Sequence, residues 1–271
     1  MFREMLTMKT SMKTSMICNA VNIRLIAAFL ADYASLLTGC GATCIRTDKN
    51  TRRIADAFGV GFDISIMPDH VYVSVWHDNP ADSHMAIRRK INHGISFNIN
   101  AKLSRLSWEV ADNHLDFATT VDRFASISKT KPTCKWEVLI LTSVANASFC
   151  RLFGGDIISM LIVFISTFAG YRLKQVMLDD KRDVRLTFLC ASFFSAALSA
   201  GGHIFGIGTT PEIAVSTSVL YLIPGVPYIN AVSDMLDRHY LCAFSRFSDA
   251  AILTACLSAG LCAGLFMSGL K

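Results

Sequence analysis

The chain has 271 residues, of which 52% are hydrophobic and only 17% are charged, with a formal net charge of +5. That much apolar surface with so little charge argues against a purely soluble globular protein. Basic residues do not cluster on one face with interleaved aromatics, so nucleic acid is not an expected partner.

Nine cysteines are present, but no Cys-x-x-Cys pair occurs. Cys150, Cys190, Cys256 and Cys262 lie in apolar runs, where cysteine acts as a small hydrophobe. A reducing compartment and no disulfide framework follow. Charge is concentrated in residues 1–135, while residues 136–271 are mostly apolar. We therefore expect a membrane all-α protein with about five transmembrane helices and an N-terminal cytoplasmic α+β domain. Its parts are a disordered N-terminus over 1–21, the α+β domain over 22–135 and the transmembrane domain over 136–271.

Met1 to Met16 repeats the unit Met-Lys-Thr-Ser-Met and reads as disordered. It is not a signal peptide, because the apolar run that follows is broken by Asn19, Asn22 and Arg24. Next, Ile23, Ile26, Ala27, Leu30, Ala34 and Leu37 recur at helical spacing, and Gly39 and Gly41 end the run. A second helix is predicted over 42–58, with Thr47, Ile54 and Phe58 on one side. Arg46, Lys49 and Arg53 lie on another side, and by charge patterning alone they read as a solvated face.

Gly61 to Met67 and His70 to Trp76 alternate as strands, with Val71, Val73 and Val75 sharing one face. Residues 94–99 are a third strand candidate. Helices follow over 102–112 and 116–128, the latter with Asp116 as N-cap. His70, His77, Asp78, Asp82, His84 and His93 fall close together in sequence. Strand alternation sends His70 and His77 to opposite faces, and the spacing fits no zinc pattern, so neither metal nor cofactor is expected. No nucleophile elbow, P-loop or dinucleotide fingerprint appears, so an enzyme is not expected either.

Five spans are predicted in the apolar half, over 136–153, 156–172, 186–205, 212–233 and 248–270. The first is weak: it carries Glu137, Asn146 and Arg151. Three charged regions fall on one side: Lys129, Lys131 and Lys135; Arg172 to Arg185; and Arg238 with Arg246. The positive-inside rule then places the head in the cytoplasm and the C-terminus, with Lys271, outside. Arg151 lies on the other side, with Asp156 as its expected partner. Small residues mark close helix contacts at Ser192, Ser195, Ala196, Ser199 and Ala200, and at Gly260-x-x-x-Gly264.

The fourth span is unusual. Ile213 to Ser233 holds no Asp, Glu, Lys or Arg, yet Pro224, Gly225 and Pro227 sit near its middle. Prolines there take helical partners from the carbonyls of Leu220 and Ile223. In a bilayer such backbone survives only against protein or a water-filled cavity, and transporters place substrate at interrupted spans. A plain proline kink in a packing helix is the other reading.

Ile223-Pro-Gly-Val-Pro227, followed by Asn230, Asp234 and Arg246, resembles the hallmark of the threonine/serine exporter family of bacterial membrane proteins. Gly41-Ala-Thr-Cys-Ile-Arg46, continuing to Arg53 and Gly59, resembles the family's second signature. Thr43 and Cys44 stand there where an acidic residue and threonine are usual. Phe153-Gly-Gly-Asp156, Ser192 to Ala200, and Tyr240 to Arg246 agree in order and spacing, with Ala243 in place of a usual glycine. The resemblance covers about residues 23–270.

It implies a secondary exporter in the cell inner membrane, in the split branch, where a large subunit works with a small multi-span membrane partner and a higher oligomer can form. Substrates of such proteins are threonine and serine, or dicarboxylates such as succinate. Pro224, Gly225, Pro227, Asn230, Asp234, Arg246, Asp156 and Asn146 are the expected substrate pathway. Gly41, Arg46 and Arg53 mark the cytoplasmic domain. Two alternatives stay open: Asp234 and Arg246 as a loop cap and an interfacial anchor, and the chain as a non-transporting, ligand-sensing scaffold.

Overall fold

The structure is a computed structural model that describes residues 23–91, 94–130, 133–205 and 208–267. The N-terminal repeat, His93, Lys131 and Lys271 lie outside the described residues. The chain divides into two compact units, Met1–Lys129 and Thr130–Lys271.

In the first unit, helix α1 (Ile23–Gly39) is the core. Phe29, Leu30, Tyr33 and Leu37 are fully buried on it, and Ala27, Ala31 and Ala34 let neighbours approach closely. The run ends in a Schellman turn. Ala42 N–H donates to the Leu37 carbonyl and Gly41 N–H to that of Thr38, with Gly41 at φ +88°, which glycine adopts without penalty. Thr43 then caps α2 (Cys44–Ala57), accepting from the Arg46 amide. Thr43 thus has a local structural use in the place where the resemblance implies an acidic residue.

Strands β1 (Gly61–Ile66), β2 (His70–Trp76) and β3 (His84–Arg89) form an antiparallel sheet in that order. Val71, Val73 and Val75 all point into the core, as the alternation predicts. The third strand corrects the expectation of one at 94–99. Its inward positions are His84, Ala86 and Arg88, whereas Met85 and Ile87 face outward at 59% and 49% exposure. That inverts the usual pattern and hid the strand. Arg88 is tolerated inside because Asp32 of α1 meets it at 2.5 Å.

Residues 94–96 are irregular instead, and α3 (Phe97–Asp112) starts five residues before the expected 102. Ser96 caps it, accepting from the Ile99 amide. Asp116 caps α4 (Phe117–Ser128), as predicted.

The second unit is helical. It runs α5 (Lys135–Leu152), α6 (Ile157–Asp179), α7 (Val184–Ile204), α8 (Pro211–Ser218), a 3₁₀ turn (Leu220–Leu222), α9 (Gly225–Leu236) and α10 (Tyr240–Met267). Helices α6, α7 and α10 are long and apolar enough to cross a membrane. The pair from Pro211 to Leu222 and from Gly225 to Leu236, bent by 58°, makes a fourth if counted as one span. Helix α5 is not among them.

Two helices outrun their predicted bounds. α6 continues to Asp179, so Arg172 and Lys174 are helical rather than loop residues. α10 begins at Tyr240, so Arg246 lies inside it rather than in the connection before it. α7 packs between α6 and α10, while α8 touches α5, α6 and α7. Side chains such as Leu141, Ile165 and Phe266 remain exposed, as lipid-facing residues do.

Small residues set the α7–α10 spacing as expected. A Cβ on Gly260 would run into the Leu189 carbonyl and Ser192 Oγ, and one on Gly264 would lie 2.8 Å from Ala196 Cβ. Ser192, Ser195, Ala196, Ser199 and Ala200 are all fully buried.

Candidate functional site: an interrupted span wrapped in hydroxyl groups

The break is made by one proline. Pro224 precedes Gly225, the first residue of α9, and Pro227 sits in that helix's first turn, where no N–H is needed. The carbonyls of Leu220 and Ile223 lose their helical partners, as expected, but tighter turns replace them. Ile223 N–H reaches Leu220 at 3.1 Å and Gly225 N–H reaches Ile223 at 2.8 Å. Leu222 N–H reaches Val219 at 3.0 Å. The carbonyls of Tyr221 and Leu222 receive none of these bonds.

The half of the span before the break is surrounded by polar side chains from three helices. Asn146 of α5 donates to Thr167 Oγ1 of α6 at 2.6 Å and to the Thr217 carbonyl of α8 at 3.0 Å. Its Oδ1 is buried and takes no hydrogen bond among the described residues. Ser195 Oγ of α7 lies 2.9 Å from the Tyr221 hydroxyl and donates to the Ser166 carbonyl. Tyr171 packs its ring against Tyr221, with centroids 5.8 Å apart. Gly170 leaves the room: a Cβ there would strike Ser195 Oγ and the Tyr221 hydroxyl.

The remaining predicted residues lie in two other places. Asp234 of α9 is fully buried, and Arg246 of α10 meets its Oδ2 at 3.2 Å with an 18% exposed side chain. Ten residues of helix separate Asp234 from Pro224, about 15 Å along the axis. Asn230 lies between them, on the same helix.

Asp156 is at the opposite end of α6, as its N-cap. It accepts from the Ser159 amide at 2.8 Å and the Thr209 amide at 2.9 Å, and Thr210 Oγ1 donates to it at 3.1 Å. The start of α6 is thereby tied to the start of the interrupted span. Arg151 donates to the Gly155 carbonyl at 3.1 Å rather than pairing with Asp156.

The bonds from Ser159 first, then those from Thr209 and Thr210, hold the Asp156 carboxyl well below its ordinary value of 3.8. A depressed carboxylate stabilises the fold above its unfolded value, and that contribution is lost as pH falls through the folded one. Asp156→Asn should therefore lower the thermal midpoint at neutral pH. The gap to wild type should close as pH drops below about 4, in a thermal-unfolding series of the detergent-solubilised chain.

In the head, Arg46 lies on an exposed face, as charge patterning predicts, whereas Arg53 is drawn partly out of solvent. Arg46 donates to Asn100 at 3.2 Å, and Arg53 to Asn50 at 2.9 Å and Ser107 at 2.7 Å. The Arg53 guanidinium also lies 3.6 Å from the Trp108 ring centroid. Among the described residues no three His, Cys, Asp or Glu side chains gather.

The sequence reading missed Ser166, Thr167, Tyr171 and Tyr221. The signal was available on α6, where Ser166, Thr167, Gly170, Tyr171 and Lys174 recur at helical spacing on an otherwise apolar segment.

A bundle of apolar helices around an interrupted, hydroxyl-wrapped span defines a membrane transporter rather than an enzyme. Residues 28–268 match the family model described as "Putative threonine/serine exporter". The chain belongs to the threonine/serine exporter family. It is 25% identical over 235 residues to the "Probable succinate transporter subunit YjjP" of Escherichia coli (strain K12), covering 85% of this chain and 90% of that protein. It is 22% identical over 250 residues to the protein of the same description from Klebsiella aerogenes, covering 92% and 96%. No solved structure matches the chain.

Proposed function

We propose that this chain is the larger subunit of a two-part exporter that moves small carboxylate metabolites out of the cytoplasm across the inner membrane. The observation that carries this reading is the interrupted span at Pro224, with Asn146, Ser195 and Tyr221 bonded around its first half. Polar groups in a bilayer interior are costly and mark where polar solutes go.

The chain crosses five times in this reading. Helix α5, with 18 residues, spans about 27 Å and is the shortest unbroken crossing. Lys135 of α5 pairs with Asp179 of α6 at 2.5 Å, which puts the start of one and the end of the other at the same membrane face. Lys181, Arg182 and Arg185 follow at that face, which supports a cytoplasmic location for it and for the head. Pro224, Gly225, Pro227, Asn230 and Asn146 line the route. Asp234–Arg246 fastens its inner end and Asp156 its outer end.

The relatives named as succinate transporter subunits support a complex of more than one subunit and a dicarboxylate substrate. The family description supports threonine or serine. The test is uptake of labelled succinate and threonine into inverted vesicles made with this chain alone, with a small multi-span membrane subunit of the same family alone, and with both. Uptake only when both are present is the expected result. Uptake by the small subunit alone would reduce this chain to a scaffold.

A further inference from the structure

Lys174 of α6 was expected in a loop, where a lysine needs no explanation. It lies instead inside a span, one turn beyond Tyr171. Its ammonium is turned toward α7, 4.7 Å from the Phe188 ring centroid and 5.4 Å from that of Tyr171. Among the described residues no carboxylate comes within ion-pair reach of it. Aromatic faces offset part of the cost of desolvating a cation but do not neutralise it. A lysine that only anchors a helix end extends its ammonium outward to the headgroups. This one points between two helices.

Its surroundings connect it to the break. Phe188 belongs to the same buried cluster as Val219 and Leu222, and Tyr221 packs on that cluster. Tyr221 touches Tyr171 and bonds to Ser195. The positive charge thus stands one side chain away from the residues that precede the break.

Among the described residues, three carboxylates of this unit are engaged elsewhere. Asp234 is held by Arg246 and Asp179 by Lys135, while Asp156 is occupied at the far end of α6. A zwitterionic amino acid would bring an ammonium group of the same sign as Lys174. A dicarboxylate would bring what Lys174 lacks.

We propose that Lys174 is a substrate-binding residue that takes a carboxylate of the exported molecule at the cytoplasmic entrance of the span, and that it selects dicarboxylates over zwitterionic amino acids. This rests on the export reading above.

Two measurements separate the two ideas. The first is succinate and threonine uptake by inverted vesicles holding both subunits, for wild type, Lys174→Gln and Lys174→Arg. Loss of a charge-assisted bond to substrate should raise the succinate KM roughly tenfold or more in Lys174→Gln, with Lys174→Arg closer to wild type. The second is the thermal shift of the purified full-length chain on adding succinate or threonine. A shift with succinate in wild type, absent in Lys174→Gln and absent with threonine, is the expected result.

A wild-type KM in Lys174→Gln, or a preference of the wild type for threonine, would overturn the inference while leaving export intact. Vesicles that move nothing, with a succinate shift that depends on Lys174, would sustain the binding site and overturn export. Lys174→Arg covers the case in which the glutamine variant fails to fold. Absence of any succinate shift in folded wild-type protein would remove the site.

Discussion

Asp234→Ala should be the most damaging single substitution in the membrane half. Asp234 is fully buried against Arg246 at 3.2 Å. Removing one partner strands the other charge in a low-dielectric interior, at a cost of about 3–5 kcal/mol. The chain's stability should fall by that order, and its amount in the membrane several-fold. Arg246→Ala should do the same.

Replacing both by a matched apolar pair, Asp234→Leu with Arg246→Met, should recover much of the lost stability, because the pair's attraction is largely offset by its own desolvation. A double-mutant cycle on thermal unfolding in detergent reads this directly. Export then separates two roles for the pair. If the restored double variant transports normally, Asp234 and Arg246 only fasten α9 to α10. If it is stable and inactive, the charges belong to the transport cycle.

Gly260 should show the second large effect. It faces α7 so closely that even a Cβ meets the Leu189 carbonyl, a backbone atom that cannot rotate away. Gly260→Ala should cost about 1–3 kcal/mol. Gly260→Leu should separate α10 from α7 and leave no monodisperse protein on size-exclusion after extraction. In lipid, close backbone approach supplies much of the association that burial supplies in water, so a lost glycine has no cheap replacement. Gly154, whose Cβ would meet nothing within 4 Å, makes a useful contrast. It ends α5 in the left-handed region at φ +89°, so Gly154→Ala should cost only backbone strain, about 1 kcal/mol.

Much of the fold is legible along the chain because local physics decides it. Apolar periodicity gives α1. Alternation gives β2. Asp116 announces α4, and uncharged runs announce α6, α7 and α10. The break at Pro224 is legible for the same reason: a missing N–H acts on its own residue and four back. β3 is not legible, because its inward side chains are His84, Ala86 and Arg88, and only the presence of Asp32 on another helix makes Arg88 acceptable there. Arg53 reads as fully solvated for a like reason: its acceptor Ser107 comes from a helix 54 residues away.

The sequence by itself determined the class of this protein and the position of the interruption, since composition and proline act without knowing their neighbours. Tertiary structure alone decided what surrounds the interruption. It brought Asn146 to Thr217 and Ser195 to Tyr221, gathered Asp156 with Thr209 and Thr210, and set Lys174 beside Phe188 with no acidic partner among the described residues. Those contacts join residues far apart in the chain, and hydrogen bonds and charge act through distance in space, which no spacing along the sequence records.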